Sequence, residues 1–438
     1  MPRLTEEKVF KDPVHNYIYV SDQVIWDIVG TPAFQRLRRI RQLGTSYLTY
    51  HGAEHSRFAH ALGAYELMRR VLSHFHRNTP DWPQDQRLWL LGTCAALTHD
   101  LGHGPFSHAL ERVFGANHED WTLRILLEDR QVSQVLASVD ERFGQDVADV
   151  IAGRSPHKVL TSLISSQLDV DRIDYLIRDA VATGVNYGKL ELDRLIRTLR
   201  PYRPPGAASG TDGDLFVVIK KSGVHTVEQY ILARYFMYVQ VYLHPVTRGS
   251  DILLNLILDR ALQLHRQGRL ADVPRRLRPL FDKPTEKLEV AEYLALDESL
   301  LTAAFAEWQH GADAVLADLT NRFLDRRLYE YFDYPADQPE LWQDLQAAAV
   351  AAGLDPGYHL AVDRIAANPY YHYTKGITVL DERGGLSDLA LSSPLVRALT
   401  AETAVYQRLY VAQDLIPAGA KGDRLRSLLQ SLRAQSRG

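Results

Sequence analysis

Cysteine is all but absent from this sequence. Cys94 is the single one in 438 residues, so no internal disulfide can form, and its place inside the apolar run Leu88–Leu97 marks it as core packing in a reducing, cytoplasmic setting. An excess of one charge is also missing: 50 Lys and Arg face 54 Asp and Glu, a net charge of −4, which argues against general adhesion to nucleic acid or membrane surfaces. No stretch approaches the ~20 apolar residues of a membrane span. The N-terminal MPRLTEEKVFKDP has no signal-peptide apolar core, and no internal repeat or heptad array emerges. What remains is 46% hydrophobic and 24% charged, a globular profile long enough for a large core or two to three domains.

What is present in excess is local. Nine of the 17 histidines lie between His51 and His118, so the enrichment marks a site rather than a composition. Its densest part is Thr98–His108, THDLGHGPFSH. The apolar run before it predicts a buried helix, and at that helix's end the side chains of His99 and Asp100 can converge on one point, most simply a metal ion. Upstream, HGAEHSRFAH (His51–His60) leads into a helix whose apolar positions Phe58, Leu62, Tyr65, Met68, Leu72 and Phe75 recur at three- and four-residue steps, with Arg57 and His60 one turn apart. Residues 158–180 read as one long amphipathic helix. On it Asp169, Asp174 and Asp179 read as surface charge, whereas Asp171 flanks the apolar stripe and points inward, where a carboxylate needs a partner.

His60, His99, Asp100 and Asp171 together offer two imidazoles and two carboxylates. That set suits a six-coordinate Mn, Fe, Ni or Mg ion better than the closed shell of structural Zn, and Zn stays among the candidates in a catalytic role. Such a centre serves hydrolysis. His108 and Glu111 stand three apart on a helix predicted over 105–113, where the carboxylate can hold and charge the imidazole as a general acid for a leaving oxygen.

Elsewhere, residues 8–20 predict two short strands about an Asp-Pro turn, and Thr31-Pro32 opens a helix. Arg36, Arg38, Arg39 and Arg41 crowd one face there, either to bind an anion or as a solvated basic face paired with acidic neighbours. Asn117 is placed to cap the helix that follows it. Residues 201–214 read as an exposed loop, 215–220 as a strand, and the next helix, with Arg234, Tyr238, Tyr242 and His244, as a further pocket wall. Residues 370–381 predict strands and 424–437 a basic tail.

The order His60, His99-Asp100, Asp171 matches the H…HD…D signature of the HD-domain metal-dependent phosphohydrolases. Longer stretches narrow the likeness: KVFKDPVH (Lys8–His15), TPAFQRLR (Thr31–Arg38), QLG (Gln42–Gly44), HSRFAH (His55–His60), HDLGHGPFSH (His99–His108) and DVDRIDY (Asp169–Tyr175). Over roughly residues 8–250 the chain resembles the deoxynucleoside triphosphate triphosphohydrolases. The resemblance implies a mainly α, HD-domain helical fold with small β elements and an α+β C-terminal lobe. It assigns residues 1–300 to the catalytic region, with its core motifs at 50–180, and 301–438 to a lobe for oligomerisation or regulatory contacts. It implies cleavage of a dNTP at the α-phosphate to deoxynucleoside and inorganic triphosphate.

Carried over by position, Arg57 and Arg234 hold phosphates, His103 and His118 line the phosphate site, and His108 with Glu111 assists catalysis. Gln42 and Leu43 contact the sugar; Tyr175, Asp179 and Tyr242 close around it, Asp179 reading the 3′-hydroxyl. Lys8, Gln35 and Arg38 match an activator-nucleotide site between the subunits of a homo-oligomer, dimeric or tetrameric. Gly30 and Pro245 depart from the pattern, Gly30 where an Asp reads an activator guanine and Pro245 where a Lys lies beside substrate. They keep open an HD enzyme for another nucleotide (a monophosphate, an alarmone or a nucleic-acid end) and a non-catalytic nucleotide-sensing module.

Overall fold

The computed structural model describes residues 3–435 except 81, 205–214, 272, 336–337, 368–375 and 401–403. The chain is mainly helical, with three small sheets. Two compact units interleave along it: the first comprises residues 1–237, 282–299 and 369–401, the second 238–281, 300–368 and 402–438.

The first unit opens on the hairpin anticipated around the Asp-Pro signal. Strands β1 (Arg3–Asp12) and β2 (Asn16–Asp22) pair antiparallel with Phe10 opposite Ile18. Asp12 closes the turn by accepting from the Val14 and His15 amides at 2.9 and 2.8 Å, and Asn16 takes the left-handed conformation that Asn tolerates, φ 65°. Helices α1 (Gln23–Gly30) and α2 (Pro32–Arg36) follow, Thr31 capping the latter through the Phe34 amide.

The arginine-rich face beyond α2 is occupied from within the unit. Arg36 is 1% exposed and donates to the Leu296 carbonyl at 2.8 Å. Arg39 pairs with Asp297 and Arg41 with Glu298, each at 2.6 Å. Arg38 donates to Gln35 and lies over the Phe58 ring. Pairing with acidic neighbours is the reading that holds for Arg39 and Arg41, because residues 282–299 return to this face, whereas Arg36 is buried against a carbonyl.

Helices α3 (Arg57–Asn78) and α4 (Gln86–Thr98) form the centre of the first unit. The periodic apolar residues of α3 and Leu88, Leu90, Leu91, Cys94 and Leu97 of α4 are all buried, each fully buried leucine contributing about 1.5–3 kcal/mol. Around them pack α5 (His108–Phe114), α6 (His118–Glu128), α7 (Arg130–Ala137) and α8 (Phe143–Ile151). Asn117 caps α6 as its side chain type predicts, accepting from the Glu119 and Asp120 amides.

The single helix expected over 158–180 is two: α9 (Lys158–Ile164) and α10 (Val170–Thr183). Asp169 makes the break, accepting from the Arg172 amide at 2.8 Å as the N-cap of α10 and from the Ser166 amide at 2.8 Å. Helix α11 (Leu192–Thr198) leads into a four-stranded sheet, Leu199–Tyr202, Phe216–Lys220, Thr378–Leu380 and Leu386–Asp388 in that order. Most of the expected 201–214 loop, and residues 370–375 of the expected later strands, lie outside the described residues.

The second unit is built on a three-stranded antiparallel sheet, with Ala404–Val411 between Glu330–Asp333 and Leu360–Ala367. Helices Pro245–Arg266 and Ala314–Leu324 pack together. Residues 424–437, expected as a basic tail, fall as far as 435 in an amphipathic helix, Ala420–Gln435. It buries Leu425, Leu429 and Leu432 against Pro339–Ala351. Among the described residues no helix is long and apolar enough to cross a membrane.

Candidate metal centre

Three helices bring the ligand-type residues together. His60 stands one turn into α3, His99 caps the C-terminus of α4 with Asp100 next to it, and Asp171 lies in the first turn of α10. His60, His99 and Asp171 each present one ligand atom, all within 4.8 Å of one another. Asp171 Oδ1 is 3.1 Å from His60 Nε2 and 3.5 Å from His99 Nε2. Asp100 reaches His99 at 3.3 Å and His60 at 3.7 Å.

Both Nε2 atoms are buried, and neither makes a hydrogen bond of acceptable geometry. Two ligand atoms about 2.1 Å from one cation and at right angles to each other lie roughly 3 Å apart, so the donor set fits a divalent ion.

The far side of each imidazole fixes its tautomer. His60 Nδ1 donates to Asp174 at 2.9 Å and His99 Nδ1 to the Ala96 carbonyl at 2.9 Å, so that both Nε2 atoms turn to the centre. Asp174 is read from the sequence as surface charge; it is 0% exposed and is the most heavily bonded carboxylate in the site. Besides His60 it takes His15 Nε2 at 2.7 Å and the Arg178 guanidinium at 2.8 and 3.0 Å, while Arg178 also grips Asp12 at 2.8 Å. Burial opposes ionisation of Asp174, but Arg178, His15 and His60 outweigh it and hold the carboxyl well below its ordinary range. His60 is likewise opposed by burial, and its three carboxylate neighbours lift its pKa to about 10. Asp169 and Asp179 are buried too, at 0% and 1% exposure, so the surface reading fails for all three. Desolvation pushes Asp169 up to about 6.

A second cluster, His103, Glu111 and His118, adjoins the first and also offers three ligand atoms within 4.8 Å. His103 Nε2 lies 3.3 Å from Asp100, and its ring stacks on His118 at 3.9 Å between centroids. Burial, then the Arg57 cation, lowers the His103 pKa to about 3, so its ring is neutral. Arg57 itself is clamped to Asp100 at 2.5 Å. The expected helix over 105–113 begins at His108 and does place His108 and Glu111 side by side, 3.4 Å apart. Glu111 nevertheless bonds His118 more closely, taking its Nδ1 in a very short contact and its amide at 3.2 Å, while the His108 side chain is 87% exposed.

The loop between the clusters is clamped from residues 290–298. Tyr293 donates to the Gly102 carbonyl at 2.6 Å and stacks on Trp121, and the Phe106 amide donates to Glu298. Gly102 lies so close to the start of α6 that a Cβ there would meet the His118 carbonyl at 2.1 Å.

Of the sugar-side residues, Tyr175 lies beside His60, ring centroids 6.5 Å apart. Asp179 pairs with His55 at 2.8 Å, and the Gln42 backbone N–H donates to the His55 carbonyl, its buried side-chain Oε1 without a partner. Leu43 heads the 3₁₀ turn Gly44–Leu48. Arg234 is buried in helix Val224–Met237, beside Tyr230. Tyr242 falls in the second unit, in the π-helical turn Tyr238–Tyr242, edge-on to Tyr238. Gln35 and Arg38 bond to each other at 2.8 Å; Lys8, on β1, faces Glu6. Asp174 and His15 are the residues that sequence reasoning missed, the only signal of His15 being its place in the KVFKDPVH stretch, while Arg178 shows in the sequence only as one of the polar residues that share a helix face with Asp171, Tyr175 and Asp179.

Comparison with known proteins agrees with this geometry. The HD domain model matches residues 57–179, and the HD associated region model matches 193–415. An uncharacterised Bacillus subtilis protein, YwfO, is 45% identical over 428 residues, covering 96% of this chain and 95% of its own. A Gallus gallus protein named deoxynucleoside triphosphate triphosphohydrolase SAMHD1 is 32% identical over 226 residues, 44% of this chain and 36% of that one. Among solved structures, a phosphohydrolase from Bacteroides thetaiotaomicron superimposes with a TM-score of 0.81 at 27% identity, covering 93% of this chain and all of that one.

Proposed function

The chain belongs to the HD-domain phosphohydrolase family, and from that premise we propose that it hydrolyses dNTPs at the α-phosphate, releasing deoxynucleoside and inorganic triphosphate. The observation that carries the reading is the pair of buried Nε2 atoms of His60 and His99 turned to one centre beside Asp171 and Asp100, bordered by a cluster of imidazoles and Arg57. His60, His99, Asp100 and Asp171 would hold a divalent cation, whether Mn, Fe, Ni, Mg or Zn, which when bound would supply Lewis-acid polarisation of a phosphoryl oxygen and a more acidic water.

The protein's own groups do the rest. Arg57, fixed by Asp100, offers its remaining N–H donors to phosphate oxygens, and His103, held between Asp100 and the His118 ring, lines the same site. Water attacks the α-phosphorus, the bond to the 5′-oxygen breaks, and that oxygen leaves with a proton. We assign the proton to His118 in preference to His108, because Glu111 orients His118 on two sides and His108 faces solvent. Tyr175 beside His60, with Gln42 and Asp179 near His55, forms the sugar side, joined by Leu43 and Arg234. Lys8, Gln35 and Arg38 mark an activator-nucleotide site in a homo-oligomeric assembly, a dimer or tetramer.

The name borne by the chicken relative supports the dNTP, and its short overlap with this chain makes the substrate a matter for assay. Metal-loaded protein incubated with each dNTP, alone and in mixtures, is expected to yield deoxynucleoside and triphosphate. Nucleoside diphosphate plus phosphate, or turnover only of a monophosphate or alarmone in a parallel panel, overturns the substrate assignment. Undiminished turnover by Asp171→Ala overturns the site.

A further inference from the structure

The metal centre sits at the N-terminal end of α3. Toward the other end of the same helix, Arg69, Arg70, His74 and Arg77 line a cavity of about 670 Å³ together with Arg197 and Arg200. Roughly 20 Å of helix, at about 1.5 Å per residue, separates His60 from His74, so this cavity is distinct from the centre described above.

Its charge is one-sided. Five guanidinium groups share the lining with one carboxylate, Asp193, which is engaged by Arg70. Arg69 is held by Glu66 through two bonds of 2.8 Å. Arg77, Arg197 and Arg200 have no carboxylate partner among the described residues: Arg77 donates to the Ser73 carbonyl, and Arg200 to the Arg197 and Leu199 carbonyls and to His74. His74 adds no counter-charge. Burial and then Arg200 hold its pKa down at about 4, so its neutral ring accepts from Arg200 and steadies it.

Helix C-termini tolerate cations, and the last turns of α3 and α11 end here. A guanidinium carries five N–H donors, however, and the helix-end carbonyls take one from Arg77 and none from Arg197. The remaining donors face a space of small-ligand size in a chain whose overall charge is −4. Guanidinium forks match phosphate oxygens two at a time. One phosphate could engage only part of so wide an arc, whereas linked phosphates span it.

We propose that this arginine-lined cavity is a second, non-catalytic binding site for a small ligand carrying two or more phosphates. It stands on these side chains alone, whatever the metal centre hydrolyses.

The test is a calorimetric titration of metal-loaded, full-length protein with inorganic tripolyphosphate. Wild type is expected to show this class of site beside those of the metal centre and of the activator-nucleotide site. The Arg77→Glu/Arg197→Glu double variant, which changes two exposed side chains, is expected to lose one class, with affinity there at least tenfold weaker, while metal content and melting temperature stay unchanged. Arg197→Gln, a milder change, is expected to weaken the same class severalfold. Competition by dATP for that class assigns a nucleoside triphosphate, and its absence assigns inorganic polyphosphate; both are the proposed chemistry. Unchanged stoichiometry in the double variant, equal affinity for orthophosphate, or a loss confined to a single-stranded oligonucleotide probe overturns the proposal.

Discussion

Asp174 accepts the Nδ1 proton of His60 at 2.9 Å while Arg178 and His15 hold the same carboxylate from behind. The orientation of a ligand-type histidine therefore depends on residues that face away from the centre.

Replacing this carboxylate by an amide is informative because the shape is kept and the charge removed. Asp174→Asn is expected to lower metal affinity or turnover about 10- to 100-fold, the usual cost of losing such an outer partner. Stability should fall as well, by up to about 3–5 kcal/mol, because Arg178 stays buried with one carboxylate fewer. Metal analysis of the purified variant, with a urea melt, reads both effects.

Glu111 divides the two candidate acids. If His118 carries the proton, Glu111→Gln and His118→Ala each reduce kcat by about 10²–10⁴-fold with KM little changed, whereas His108→Ala, at an 87% exposed side chain, has a much smaller effect. The reverse order in steady-state kinetics would return the role to His108.

Gly63 gives a prediction whose sign runs against propensity. Glycine to alanine inside a helix ordinarily stabilises by about 1 kcal/mol, but a Cβ at Gly63 would fall 1.9 Å from Asp174 Oδ1 and 2.4 Å from Arg178 Nη2. Both ends are anchored by the bonds already described, so Gly63→Ala is expected to lower the melting temperature and the metal content together. A variant as stable as wild type would show that the Asp174–Arg178 pair can shift.

Acid should expose His74. In the unfolded chain its ring takes a proton near pH 6.5, while in the fold its pKa is depressed to about 4. The stability this group contributes is therefore whole above pH 6.5 and is lost as the pH falls toward 4. Urea denaturation at pH 7 and pH 4.5 is expected to show a smaller gap for His74→Gln than for wild type.

Much of the site is legible in the sequence, for reasons particular residues make plain. His60, His99 and Asp171 stand at the right phase of apolar stripes, and a stripe tells which side of a helix is inside. Thr31, Asn117 and the Asp-Pro turn act on their own neighbours, so they are readable locally. Asp174 is not, because its value comes from His15, which lies 159 positions away, and on a helix rich in acid nothing local separates a buried carboxylate from a solvated one. Arg36, Arg39 and Arg41 stay undecided in the sequence for the same reason: their partners at Leu296, Asp297 and Glu298 arrive from a segment about 260 residues later. The break between α9 and α10 escaped because Ser165–Asp169 contains neither glycine nor proline, and a side-chain cap does the interrupting.

The turn between β1 and β2 adds a consequence of its own. Asp12 and His15 grip Arg178 and Asp174 across the first unit, so the hairpin works as a latch on the helix that carries Asp171. A fragment trimmed to the matched domain boundary at residue 57 would keep every ligand-type residue and lose the latch. Minimal versions of this protein should therefore be cut outside the hairpin, and fusions or labels placed at the turn would be felt by the ligands at the centre of the fold.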